Sequence, residues 1–222
     1  MSHSAFEVSG QQISLAFPTL LGRFQVPESD LSNPGLLKEL LHRESSAPSR
    51  DYANVGGWHS SGNLLEWPLP EIVKLRGWIS TALASMVRAT GQLPEVQGRA
   101  EAPRGSFRLT AWGNVSRKGN YHRLHNHPNN AWSGVYYVTG DNSQETGLGG
   151  ALELYDPRPF TEMVETPGNP YGQRLLVRPA AGLLVVFPSW LYHFVHPNPS
   201  DTLRVSIAFN AAWQSDVSQS HP

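Results

Sequence analysis

The sequence predicts a mainly β protein of the α+β class, with an N-terminal helical layer packed on a double-sheet β domain. Three observations predict it. Helical periodicity is confined to residues 1–100, β-rich runs separated by Gly, Pro, Asn and Asp fill residues 101–213, and 20 glycines and 18 prolines supply the turns. At roughly 100–200 residues per domain, a chain of 222 residues is long enough to bury a real core, and residues 1–222 read as one cooperative unit.

Taken in order, residues 13–27 look extended and broken at Pro18. Ser32-Asn33-Pro34 has the form of a cap with proline at the first helical position, leading into a helix over GLLKELLHRE. Residues 46–68 read as a polar loop. Pro70 then opens the most regular helix, in which Ile72, Leu75, Trp78 or Ile79, Leu83 and Met86 or Val87 recur at helical spacing, and Gly91 stops it. Strands are expected at 106–115, 133–138, 151–156, 174–179, 182–188, 193–196 and 204–213. Asp156-Pro157-Arg158 reads as a turn with an ion pair and Gly147–Gly150 as a hairpin loop, and residues 214–222 form a polar tail.

Composition excludes several classes. With no cysteine there is no disulfide framework, thiolate zinc site, iron–sulfur cluster or cysteine nucleophile. A net charge of −1 gives no footprint for nucleic acid or an anionic membrane surface. No apolar run approaches the ~18 residues of a spanning helix, and the first residues lack the pattern of a signal peptide. The expectation is a cytoplasmic protein acting on a small molecule, with no nucleic-acid or membrane partner. The sequence leaves its oligomeric state open, a homodimer included. Any metal must be held by imidazole or carboxylate.

Five of nine histidines, His122, His125, His127, His193 and His196, lie within one stretch of the β region. His125 and His127 stand two apart, so in extended chain both imidazoles share a face and could reach one ion. A third ligand from a distant strand would complete a three-ligand site with open positions. His193, His196 and His122 are the candidates; His193 and His196 should point to opposite sides, so at most one of that pair serves. A His-x-His pair alone is weak evidence, since such pairs commonly sit on solvated strand faces. The surrounding segments strengthen it.

From about residue 107 to 213 the chain resembles the iron(II)/2-oxoglutarate-dependent oxygenases of the prolyl-hydroxylase-like superfamily. The segments that carry the likeness are Trp112-Gly113-Asn114, His125-Asn126-His127-Pro128, Ser133-Gly134-Val135-Tyr136-Tyr137, residues 150–158 and Phe187-Pro188-Ser189-Trp190-Leu191-Tyr192-His193. Pro197-Asn198 and Arg204-Val205-Ser206-Ile207-Ala208-Phe209-Asn210 complete them, and Gly57-Trp58-His59-Ser60 extends the match toward the N-terminus. The resemblance implies a double-stranded β-helix (jelly-roll) core. It also implies Fe(II) on His125, His127 and His193, with 2-oxoglutarate and O2 as co-substrates, and substrate hydroxylation with release of succinate and CO2. Most of the superfamily places a carboxylate where this chain has His127.

It further implies Arg204 as the anchor of the distal carboxylate of 2-oxoglutarate, eleven residues beyond His193, with Ser206 on the same strand face. Tyr137 and Asn114 are further co-substrate candidates; Tyr136 and Tyr137 alternate, so one of them faces the pocket. Trp58, His59, Tyr121, His122, Trp112 and Asn210 are candidates for the substrate wall. Two other readings compete. A cupin-type metal enzyme without 2-oxoglutarate is suggested by Gly119 before His125-x-His127 and by residues 179–182, but the glutamate it needs after His127 is missing. A non-catalytic jelly-roll binding module would not need three histidines and Arg204.

Overall fold

Helix α2, Pro70–Gly91, forms where the periodicity places it. Leu69 enters it in extended conformation, and Pro70 sits in the first turn, where the missing N–H leaves no hydrogen bond unmade. Ile72, Leu75, Ile79, Ala82, Leu83 and Met86 are buried along one face, and Val87 stays exposed. This computed structural model describes residues 17–92, 104–140, 147–163, 165, 167 and 174–216. The extended stretch before residue 17, His3, His221 and the end of the tail lie outside them.

Helix α1, Ser29–Ser46, starts earlier than the expected cap, and Pro34 lies inside it. The chain enters through Glu28 in left-handed conformation, whose carbonyl accepts from the N–H groups of Leu31 and Ser32. Ser32 and Asn33 are therefore inside the helix and buried, and Asn33 Oδ1 accepts from the Tyr136 hydroxyl at 2.6 Å. Tertiary hydrogen bonding has overridden the capping tendency of the Ser-Asn pair. Proline here forfeits the bond to the carbonyl of Asp30.

Eleven strands follow the chain: β1 (Gly22–Gln25), β2 (Asn54–Val55), β3 (Trp58–His59), β4 (Gly105–Ser116), β5 (Tyr121–His125), β6 (Trp132–Tyr137), β7 (Leu152–Leu154), β8 (Leu175–Val177), β9 (Leu183–Pro188), β10 (His193–Val195) and β11 (Arg204–Ser215). They make a six-stranded sheet, β1-β9-β6-β11-β4-β3, and a five-stranded sheet, β2-β5-β10-β7-β8, both antiparallel. This is the two-sheet jelly roll of the double-stranded β-helix. Three expectations are corrected. The 46–68 loop contains β2 and β3, so the N-terminal layer also contributes strands to both sheets. Pairing with β4 and β5, rather than any local pattern, makes these two-residue strands. Gln214 and Ser215 belong to β11, held by pairing with Ser106 and Gly105, not to a tail.

The β-strand period of two sorts β11 into two faces. Val205, Ile207, Phe209 and Ala211 join the core against α1 and α2, whereas Arg204, Ser206 and Ala208 face the opposite sheet. A second core between the sheets combines Val135, Tyr137, Leu152, Val185, Phe187 and Val195. Gly134 is required where β6 passes under Phe209: an added Cβ would collide with that ring and with the carbonyl of Val185. The six-stranded sheet is therefore apolar toward the helices and mixed toward the inter-sheet space, and that mixed face carries the site.

Candidate metal and co-substrate site

The register of β5 against β10 places His125 directly opposite His193, although 68 residues separate them in the chain. His127 follows the end of β5, its N–H bound to the carbonyl of Ser189 at 2.9 Å. The three ring centroids lie 4.2 Å (His125–His193), 5.0 Å (His125–His127) and 5.1 Å (His127–His193) apart. One ligand atom from each falls within 4.8 Å of the other two, close enough to share one ion. His196 is turned to the outer face of the five-stranded sheet. There its Nε2 meets Glu153 Oε2 at 2.5 Å, and Arg174 Nε lies 3.3 Å from the other oxygen of Glu153. The alternation argument holds: of this pair, only His193 reaches the cluster.

Backbone carbonyls fix which nitrogen is available in two of the three rings. The Nδ1–H of His125 donates to the carbonyl of Arg123 at 2.6 Å, and that of His193 to the carbonyl of Leu191 at 2.9 Å. Because a carbonyl only accepts, the Nε2 lone pair of each ring is left for a ligand, the second-sphere arrangement common at histidine metal sites. Burial pushes all three rings away from the charged form. His193 falls to about 3, its neighbours His125 and His127 adding to the effect, and His127 to about 4; His125 is also lowered, by burial. Neutral imidazole is the form that binds a metal.

A narrow pocket runs between the sheets from this cluster to Arg204. Cross-strand register sets a row on the six-stranded sheet: His59 opposite Asn114, Asn114 opposite Ser206, Ser206 opposite Tyr137. Arg204 is only 6% exposed, its Nε donating to the carbonyl of Gly150 at 2.9 Å and its Nη1 to Ser206 Oγ at 3.2 Å. Its guanidinium carbon sits 5.3 Å from the Tyr137 ring centre. Among the described residues no carboxylate pairs with Arg204. Burial lowers its pKa, but an arginine starts so high that it stays charged. Two further polar atoms of this pocket are buried: Asn114 Oδ1 has no hydrogen-bond partner, and the Tyr137 hydroxyl faces the Arg204 guanidinium, its nearest donor, outside ideal hydrogen-bond geometry. Burial raises the Tyr137 hydroxyl pKa, so it remains a neutral donor.

The family described as "Putative 2OG-Fe(II) oxygenase" matches residues 110–210, which run from within β4 to within β11 and contain all of these groups except His59. That match places residues 110–210, the segment that carries the site, in the 2OG-Fe(II) oxygenase family. Its members are oxidoreductases that use Fe(II) and 2-oxoglutarate. Solved structures share the fold. A prolyl-4-hydroxylase from Pseudomonas putida superposes with a TM-score of 0.62 at 16% identity, over 88% of this chain and 93% of that one. HygX from Streptomyces hygroscopicus, solved with nickel and 2-oxoglutarate, gives 0.57 at 12%, over 87% and 83%. A prolyl hydroxylase from Trichoplax adhaerens, in complex with a hypoxia inducible factor oxygen degradation domain peptide, gives 0.57 at 16%, over 86% and 83%. Among curated proteins, none matches the chain in sequence.

Outside the inner pocket the chain has a cleft of about 860 Å³ that reaches His125 and His127. His59, His122, Trp112 and Asn210 line it. Trp58 does not: its ring is in the core, with Nε1 donating to the carbonyl of Ala47 at 3.0 Å. Tyr121 packs on Phe194, ring centres 5.9 Å apart, and is not part of the cleft wall. These two alternate with His59 and His122, so strand parity sends them to the other side. His122 also lines the inner pocket, and burial, with the charge of Arg204 adding, holds it at about 3. A register shift in β5 between the pairs His125↔His193 and His122↔Val195 lets two residues three apart share a face. Sequence reasoning missed Arg50, Tyr52 and Arg123 on the cleft. The only sequence signal for them is the H-R-L-H spacing; the rest comes from the cross-strand pairing of β2 with β5.

Proposed function

We propose that the protein is a non-haem Fe(II)- and 2-oxoglutarate-dependent oxygenase that hydroxylates a small molecule and releases succinate and CO2. The observation that carries this is the pairing, in one pocket, of three neutral imidazoles with a buried guanidinium that lacks a carboxylate. Leaving a buried charge unpaired is costly, and a bound dicarboxylate would offset that cost. The residues present fit both groups. His125 and His193 would hold the ion through Nε2, with His127 as third ligand. Arg204 would take the distal carboxylate of 2-oxoglutarate through a charge-assisted fork, aided by the hydroxyls of Ser206 and Tyr137.

Bound there, Fe(II) supplies the oxidising chemistry that couples decarboxylation of 2-oxoglutarate to oxidation of the substrate by O2. The chain's own residues bind and orient. Asn114 presents an unpaired polar atom to the pocket. Leu152, Phe187 and Val195 form an apolar wall on one side of the inner space. The cleft volume lies within the range of small-molecule sites, which supports a small substrate over a folded one. The test is aerobic succinate formation by the purified protein with Fe(II) and 2-oxoglutarate, without added substrate. Slow metal-dependent succinate release that disappears in His193→Ala supports the proposal. Absence of succinate from the wild type contradicts it.

A further inference from the structure

Among the described residues the outer cleft is lined by two arginines, Arg50 and Arg123, and by no carboxylate. Asp51, next to Arg50 in sequence, is exposed and lies off the cleft wall. This is not a by-product of a basic surface, because the chain as a whole carries a net charge of −1. Four other arginines pair with acids, Arg43 with Glu39, Arg117 with Glu44, Arg158 with Asp156 and Arg174 with Glu153. Among the described residues neither Arg50 nor Arg123 has a side-chain hydrogen bond or ion pair.

Their backbones, by contrast, are pinned. The Arg50 N–H donates to the carbonyl of His59 at 3.0 Å and the Arg123 N–H to the carbonyl of Ala53 at 2.8 Å. Asn54 Nδ2 donates to the carbonyl of Gly57 at 3.0 Å and to Ser49 Oγ at 3.3 Å, which stiffens the segment between them. Fixed backbones with free cationic heads are suited to receive an anion. From Tyr52 on this cleft wall a row of rings leads to the metal cluster. Tyr52 to His59 is 4.9 Å, His59 to Trp112 5.6 Å at 15°, and Trp112 to His127 5.6 Å. His59 donates Nδ1–H to the carbonyl of Ser60 at 2.7 Å, and burial favours its neutral form, so its Nε2 accepts.

We propose that the substrate carries an anionic group, a carboxylate or a phosphate, that docks on Arg50 and Arg123 while its body lies along Tyr52, His59 and Trp112 toward His127. The proposal rests on the oxygenase reading above, since it assigns this cleft to the substrate. Arginine suits either anion, because its planar fork matches both geometries.

The test is ligand-observed saturation-transfer NMR on the protein loaded with Zn(II) and saturating 2-oxoglutarate, so that Arg204 is occupied. Benzoate, phenyl phosphate and benzamide serve as probes sharing one ring. At least one of the two anions should bind several-fold more tightly than benzamide, and the winner identifies the docking group. The preference should vanish in the Arg50→Gln/Arg123→Gln double variant. Benzamide binding as well as both anions, no binding by any of the three, or a preference that survives in the double variant overturns the proposal. The readout involves no turnover, so its failure leaves the succinate assay standing, and failure of that assay is recognised separately.

Discussion

An imidazole can ligate a metal only when neutral and with its lone pair aimed inward, and two backbone carbonyls decide the aim here. The carbonyls of Arg123 and Leu191 hold the Nδ1–H groups of His125 and His193. His193→Ala should therefore abolish stoichiometric metal binding in an isothermal titration with Zn(II) or Fe(II). His196→Ala should leave it intact, because that ring serves Glu153 on the other face. Arg204→Ala should weaken 2-oxoglutarate binding by roughly tenfold to 150-fold, the equivalent of ~1.5–3 kcal/mol for a charge-assisted hydrogen bond. A dissociation constant unchanged in that variant would remove Arg204 from the anchor role.

The same buried rings make stability depend on pH. His122 and His193 are lowered to about 3 and His127 to about 4, against an ordinary value near 6.5. Between those values the unfolded chain binds more protons than the folded one, so stability rises with pH across that window. This contribution is fully present above pH ~6.5 and is lost as pH falls toward 3–4. The thermal midpoint of the metal-free protein should fall as the buffer goes from pH 7 to pH 5, and His122→Leu should make that slope shallower. A midpoint flat over this range would contradict the burial of neutral imidazoles.

At the scale of elements, legibility followed periodicity. Helix α2 and the long strands β4 and β11 show repeats of 3.6 and 2, which local sequence displays directly. Strands β2 and β3 have two residues each and exist because β5 and β4 pair with them, an interaction that local sequence does not encode. The start of α1 was displaced because Asn33 is used by Tyr136 rather than by the helix end. That bond yields a test. Asn33→Leu should cost about 1–3 kcal/mol in a urea melt, because the Tyr136 hydroxyl is then buried without a partner. Adding Tyr136→Phe should restore much of the loss. A double variant as unstable as the sum of the two singles would show that the bond is not the cause.

The whole molecule separates its tasks by face. The six-stranded sheet turns an apolar face to α1 and α2 and its mixed face to the five-stranded sheet, so the helices support the site without entering it. His125, His127, His193 and Arg204 were legible because linked segments in order carry them. The placement of Tyr137 against Arg204, of Asn114 Oδ1 with no partner, and of His122 on a shifted strand was not, since each depends on cross-strand register. Trp58 and Tyr121 show the limit of neighbour arguments: one residue along a strand is the opposite side of the sheet. The absence of a carboxylate among the three candidate ligands leaves the site more positive than the superfamily's usual set. Its colour with 2-oxoglutarate is accordingly the most direct measurement. Fe(II) added anaerobically to the protein with 2-oxoglutarate should give a weak visible charge-transfer band at one iron per chain. That band should be absent in His193→Ala. No band in the wild type, or one that persists in that variant, would contradict the account.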